Sequence, residues 1–431
     1  MSWPSRTRLV KRRDRFAAGL LALVLGVALQ RIRGYADWGP SEGVYALSAR
    51  LLADGGDLYG GLVGSQPPWV YLFGAAALSI HDSLDWLRLA CGLLQVVTGL
   101  LAAEAVWRLT AHRAAAIAAA GLVVVTPWAT HQHGLLLPEQ LGSPLLLGAA
   151  LLASRPATAR WAGLLAGLAV FTKLPFALPA ALIVAASPAR SVAARWAAGA
   201  LAAQALAFTA IFGTDLWSDI VVAQAQAGQG LVVRIGAFVQ GAWNLMALLV
   251  FAAVALSRRG QAGEPALLRT LAAGAAGALA MIVTIVKPGT GLNVVVPSEP
   301  LLVTLAVAGA VWALRQPALR TRAALGGAAL GLLLLAQSAS LLVDPSYPRP
   351  FHRPASSTPG WKVGYTKAEM RALVAVAERC PPGAAYTGPP LVAFLAHRRV
   401  PADQPDAFII VHARMHGAQL RRLLSDQPRC P

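Results

Sequence analysis

Acidic residues are scarce in this chain, 19 against 37 lysines and arginines in 431 residues, and several of them gather in one polar stretch. Asp37, Glu42, Asp54 and Asp57 lie between Arg31 and Trp86, beside Arg50, Gln66 and several aromatics. The densest parts are Tyr-Ala-Asp-Trp-Gly-Pro-Ser-Glu-Gly-Val-Tyr (Tyr35 to Tyr45) and Gly-Ser-Gln-Pro-Pro-Trp (Gly64 to Trp69). A carboxylate beside a low-dielectric wall is disfavoured as an anion, so its pKa rises and it becomes a better base. Arginine and lysine at the ends of apolar segments are placed to receive a phosphate. A carboxylate of this kind can serve as a general base, and cations can hold an anionic group. The candidate bases are Asp37 and Glu42, with Glu139 further along the chain. The candidate phosphate ligands are Arg88, Lys173 and Lys287, ahead of Arg50 and Arg234. Tyr45, Tyr59, Gln66, Asn293 and Glu299 are the candidate substrate contacts.

Other groups carry less. His131 and His133 have no third ligand at a set spacing, so no metal site is expected; a divalent cation stays open as a cofactor, since an outer-loop carboxylate can act as base or ligand. Gly289 and Gly291 near Lys287 lack the phosphate-loop spacing. Asp54 and Asp57 read as turn formers.

Hydrophobic residues make up 56% of the chain and charged residues 13%, which gives a polytopic membrane protein. The first apolar segment lacks a small-residue cleavage site and is read as a retained span. The net charge of +18 does not point to nucleic acid, because the basic residues fall in short clusters between apolar runs, the pattern that orients a membrane protein. The basic residues 1–15 then sit in the cytoplasm and 31–86 is an outer loop. Within it, Ser41 to Asp54 has helical spacing, begins with a cap and an acid, and would lie flat on the membrane. Pro67 to Ile80 is too short to span and lies in the outer interface.

The spans expected after that loop are Leu87–Trp107, Ala114–Trp128, Leu141–Ala153, Trp161–Thr172, Leu174–Ala186, Trp196–Phe212, Ile235–Leu256, Leu267–Val286, Leu301–Leu314 and Ala323–Val343. With the first segment, Phe16–Leu29, they number about eleven and place the C-terminus outside. Trp161 to Ala186 is divided in two because one span would bury Lys173 at mid-bilayer, at a cost of roughly 3 kcal/mol. Trp107, Trp128, Trp161, Trp196, Trp217 and Trp312 fall near span ends, as an interfacial belt should. This topology sends Asp37, Glu42, Glu139, Lys173, Arg234, Lys287 and Glu299 to the outer face.

From Asp344 the apolar runs end. A linker, 344–360, leads to a small extracytoplasmic α/β domain within 344–431, with helices over Lys367–Arg379, Leu391–His397 and Gly417–Leu424 and strands over Ala384–Thr387 and Phe408–Val411. Cys380 and Cys430 can form a disulfide there if the compartment is oxidising, and Cys91 is a small core residue.

Gly-Gly-Asp-Leu-Tyr (Gly55 to Tyr59), Gln-Pro-Pro-Trp-Val-Tyr (Gln66 to Tyr71), Leu-Arg-Leu (Leu87 to Leu89), Leu-Pro-Glu (Leu137 to Glu139), Gly-Leu-Ala-Val-Phe-Thr-Lys (Gly167 to Lys173) and Lys-Pro-Gly-Thr-Gly-Leu-Asn (Lys287 to Asn293) follow the acids of the first loop. As a string, over roughly 31–299, they resemble the GT-C membrane glycosyltransferases, nearest to the protein O-mannosyltransferases and the lipid A aminoarabinose transferases. The resemblance implies a GT-C fold and transfer of a sugar from a polyprenyl-phosphate donor to an outer-face acceptor glycan, lipid or protein, with inversion. It also implies an acid of the first outer loop as base, Asp37 or Glu42. The chain departs from the family in having Ser41-Glu42 where adjacent acids are usual, and Gln66 where a Lys or His usually precedes Pro-Pro. Membrane lipid and the lipid-linked donor are the expected partners, with nucleic acid excluded. A flippase for lipid-linked sugars and an inactive scaffold of envelope assembly are the other two readings.

Overall fold

The computed structural model describes residues 12–33, 41–60, 64–222, 231–281, 296–318, scattered positions between 321 and 336, 367–401, 405 and 429–430. Asp37, Lys287 and Asn293 lie outside the described residues, as do the expected segments Phe408–Val411 and Gly417–Leu424 and most of Ala323–Val343.

The architecture is a helical bundle. Its helices are α1 (Arg12–Arg33), α2 (Ser41–Ala53), α3 (Trp69–Ile80), α4 (Leu84–Thr110), α5 (Arg113–Val125), α6 (Pro127–Gln132), α7 (Pro138–Ala153), α8 (Ala159–Val170), α9 (Ala177–Ala186), α10 (Arg190–Phe212), α11 (Leu231–Ser257), α12 (Pro265–Ala280) and α13 (Ser298–Leu314). By length and composition α4 and α10 could each cross a bilayer. The bundle has two unlike ends. One end is basic: Asp14 pairs with Arg113 at 2.6 Å, Arg108 and Arg155 both pair with Glu264, and Arg315 donates to the Thr110 carbonyl at 2.6 Å. Burial raises the Glu264 pKa and hydrogen bonds from Arg108 and Arg155 lower it; the arginines win, holding its carboxyl below the ordinary range. The other end carries α2 and α3.

Local sequence explains where the helices start and stop. Ser83 caps α4 by accepting the Trp86 N–H, and Pro138 and Pro265 open α7 and α12, where a missing N–H costs nothing. The break at Lys173 is present: α8 ends at Val170, a 3-10 turn covers Leu174–Phe176, and α9 begins at Ala177. Pro175 has no N–H to continue the helix and would clash with the Phe171 carbonyl. The segment expected as Ala114–Trp128 stops earlier, at Val125, because Pro127 holds Thr126 extended at φ −63° and ψ 154° before the short α6. α8 and α10 meet at Gly163 and Gly167, four residues apart, where an added Cβ would press on α10 backbone atoms. Such close approach by small residues is how helices associate in lipid.

One expectation is corrected. Trp312 is not in an interfacial belt; it is fully buried, since α13 packs against α4, α5, α7, α11 and α12 in the middle of the bundle. One face of α2 is packed against protein. Glu42 through Ala46, Ser48 and Ala49 are buried between α3 and a C-terminal helix, α15 (Pro390–Leu395).

That C-terminal region also contains α14 (Lys367–Glu378) and two short parallel strands, β1 (Ala385–Tyr386) and β2 (Arg429–Cys430). Cys380 and Cys430 are joined by a disulfide. Arg50 anchors the region to α2: it pairs with Asp82, donates to the Phe394 carbonyl at 2.7 Å and stacks on the Phe394 ring. Gly43 lets α2 and α15 touch, for a Cβ there would overlap the Leu391 backbone nitrogen. Gly43→Ala is therefore expected to cost about 1–3 kcal/mol by overpacking, seen as a lower unfolding midpoint of the purified protein and faster proteolysis of the C-terminal region.

Candidate active site

At the α2–α3 end, the residues singled out from sequence fall into two buried ion pairs and one tyrosine cluster. Glu42, in the first turn of α2, and Arg88, one turn into α4, form the first pair. The carboxylate is fully buried and accepts from Arg88 Nε at 2.8 Å and Nη2 at 2.5 Å. This two-pronged arrangement is the strong form of a charge-assisted bond. The Arg88 carbonyl in turn accepts from Gln30 Nε2 of α1 at 3.1 Å, so α1, α2 and α4 are tied together here.

The second pair joins Glu139, in the first turn of α7, to Lys173 in the break between α8 and α9. Both side chains are buried. The extended backbone of Lys173, φ −160° and ψ 121°, is what directs its side chain to α7 instead of along a helix.

Tyr45, Tyr59 and Gln66 gather around Tyr71 of α3. Tyr59 and Tyr45 lie 6.4 Å and 5.8 Å from its ring, the Tyr59 hydroxyl donates to the Gln66 carbonyl at 2.7 Å, and the Gln66 N–H donates to Tyr71 Oη at 3.3 Å. Burial, then the nearby Tyr71 and Asp219, push the Tyr59 phenol well above its ordinary pKa, so it stays a donor. Asp57 accepts the Tyr59 and Gly60 N–H groups, the turn role its sequence suggests. Glu299 stands apart from this cluster: its Oε2 accepts from the Thr126 hydroxyl at 2.6 Å and the Ala129 N–H at 2.8 Å, clamping the α5–α6 junction.

Three features were not legible as site residues. Asp219, on an irregular turn after α10, is 1% exposed and accepts the Gly64 N–H at 3.0 Å. Burial raises its pKa to about 7, with Asp215 adding to the rise and the Gly64 and Ser218 hydrogen bonds opposing it. Gln204 of α10 accepts from the Trp69 indole at 2.6 Å and holds α3 to α10. An apolar cavity of about 940 Å³ runs between α4, α7 and α8, from Trp69, Phe73 and Thr172 down to Arg15, Glu104, Arg108 and Arg155. Asp219 had one available signal: with Asp215 it brackets Trp217 directly after an apolar run, in a chain with few acids. Among the described residues no group of three or more His, Cys, Asp or Glu could hold a metal.

No family model matches the sequence. No curated protein matches it either. Solved structures do: ArnT from Cupriavidus metallidurans bound to undecaprenyl phosphate is similar with a TM-score of 0.63 at 14% identity, over 95% of this chain and 89% of that one. The apo form of that protein is similar with a TM-score of 0.57 at 15% identity, over 93% and 87%. The likeness is one of fold, and it extends over nearly the whole of both chains.

Proposed function

We propose that this protein, which has the ArnT-like GT-C fold, is a multi-pass membrane glycosyltransferase that moves a sugar from a polyprenyl-phosphate donor to an acceptor hydroxyl or phosphate at the α2–α3 end. The observation that carries the reading is the apolar cavity. Its walls are mostly aliphatic and aromatic, it follows α4 from Leu94 to Arg108, and it reaches Thr172, next in sequence to Lys173 of a buried ion pair. A polyprenyl chain has the chemistry to fill such a cavity, with its phosphate at the Thr172 end, beside Lys173. The fold supports this, since the similar ArnT binds undecaprenyl phosphate. The basic end, in the cytoplasm by the charge rule, leaves the α2–α3 end extracytoplasmic, where a disulfide such as Cys380–Cys430 persists.

In the reaction a base takes the acceptor proton, the acceptor oxygen attacks the anomeric carbon, and the bond from that carbon to the phosphate oxygen breaks with inversion. Polyprenyl phosphate leaves as an anion. Asp37, on the connection between α1 and α2, is assigned as the base, because Glu42 already has both oxygens engaged by Arg88. Lys173 and Lys287 are assigned to the donor phosphate; Arg88 then acts through Glu42, and Glu299 through α6. Tyr45, Tyr59 and Gln66 shape the sugar side, with Asn293.

The test is release of polyprenyl phosphate from a panel of lipid-linked sugars by protein in nanodiscs. Asp37→Asn is expected to abolish release while leaving the unfolding midpoint unchanged. Full turnover in Asp37→Asn would remove it as base. No turnover with any donor, together with protein-dependent movement of these lipids between leaflets, would replace the transferase with a flippase.

A further inference from the structure

Asp219 belongs to neither ion pair, and the transfer chemistry above does not use it. Its Oδ2 accepts the Gly64 N–H across 155 residues of sequence, while its Oδ1 is buried with no hydrogen-bond partner among the described residues. Gly64 begins the short segment Gly64–Gln66, whose other end is held by the two tyrosines, Tyr59 on the Gln66 carbonyl and Tyr71 on its N–H. The segment packs closely, since a Cβ on Gly64 would overlap the Tyr59 ring. One end is thus fixed by phenols and the other by a carboxyl that must lose water to make its contact.

We propose that Asp219 is a positioning residue that couples the placement of the Gly64–Gln66 segment to the binding of one proton. A buried carboxyl with one oxygen unsatisfied is costly as an anion and much less so as an acid. The groups facing it do not relieve that cost. Asp215, on its own turn, acts against the anion, and Tyr59, from the loop before α3, stays neutral and brings no countercharge; only the Gly64 N–H and the Ser218 hydroxyl favour it. The carboxyl therefore holds its proton up to about pH 7 when the segment is seated, against 3.8 when free in water. The sign follows: the seated form binds the proton more tightly, so seating is easiest at low pH. Lifting the segment becomes about tenfold easier per pH unit across that window and levels off above it. Gln66 is neutral where it precedes Pro67-Pro68, so this proton, not a charge on the segment, sets where the segment lies.

The experiment is amide hydrogen exchange of the peptide containing Gly64–Gln66, in nanodiscs, from about pH 5 to 8 and corrected for intrinsic exchange. Wild type is expected to lose protection steeply up to about pH 7 and then level off. Asp219→Asn, which keeps an acceptor for Gly64 and cannot ionise, should be as protected as wild type at low pH and show no such loss. Asp219→Ala should lose protection at every pH. The same pH dependence in wild type and Asp219→Asn overturns the proposal, and this comparison stands even if Asp219→Ala does not fold. The readout needs no turnover, so an absence of transferase activity would count against the proposed reaction and not against this role.

Discussion

Arg88→Leu is expected to lower stability by about 3–5 kcal/mol, because it leaves the Glu42 carboxylate buried without its cation. Glu42 is fully buried and both of its oxygens meet the guanidinium, so no water is at hand to replace it. A variant with Glu42→Leu and Arg88→Leu together should recover most of that loss. The reason is that the Coulomb gain of a buried pair largely offsets the cost of dehydrating two ions, and apolar replacements avoid both. Turnover should not return in the double variant, since the start of α2, which follows the connection bearing Asp37, would lose its fixed orientation to α4. The check is denaturant unfolding of the four members of the cycle beside their rates of polyprenyl-phosphate release. A single variant within about 1 kcal/mol of wild type would mean the pair is solvated and not buried.

Lys173→Met is the second large effect, of similar size in stability, about 3–5 kcal/mol, for the same reason at Glu139. Its diagnostic value is different. Lys173 lies in the break between α8 and α9, next in sequence to the cavity-lining Thr172. If it only neutralises Glu139, the double variant Lys173→Met with Glu139→Gln should regain both stability and turnover. If it also holds the donor phosphate, the double variant should regain stability alone, with KM for the donor raised tenfold or more. The expected result is the second. Unchanged KM in a stable double variant would remove Lys173 from the phosphate site and leave Lys287 to carry it.

Much of the fold is legible along the chain because the signals that make it are local. Helical spacing and a glycine stop mark α2, and Pro138 marks the start of α7; the expected span Ala114–Trp128 runs through Pro127, whose local effect ends α5 at Val125. The clusters of arginine between apolar runs anticipate the basic end. The break at Lys173 is legible because its alternative, a cation at mid-bilayer, is costly whatever the neighbours are. The burial of Trp312 and the covering of α2 by α15 are not, since both depend on which helices come to surround them.

The same division runs through the site. By itself the sequence determined the kinds of groups present and the end of the bundle where Glu42, Arg88, Glu139 and Lys173 collect, because charge and hydropathy act residue by residue. Only the tertiary structure decided that Arg88 faces Glu42, 46 residues away, that Lys173 faces Glu139, 34 away, and that Asp219 closes over Gly64. Pairing of that kind has no periodicity to betray it. It depends on dehydrating both partners at once, which happens only when the packed helices have brought them together and excluded water.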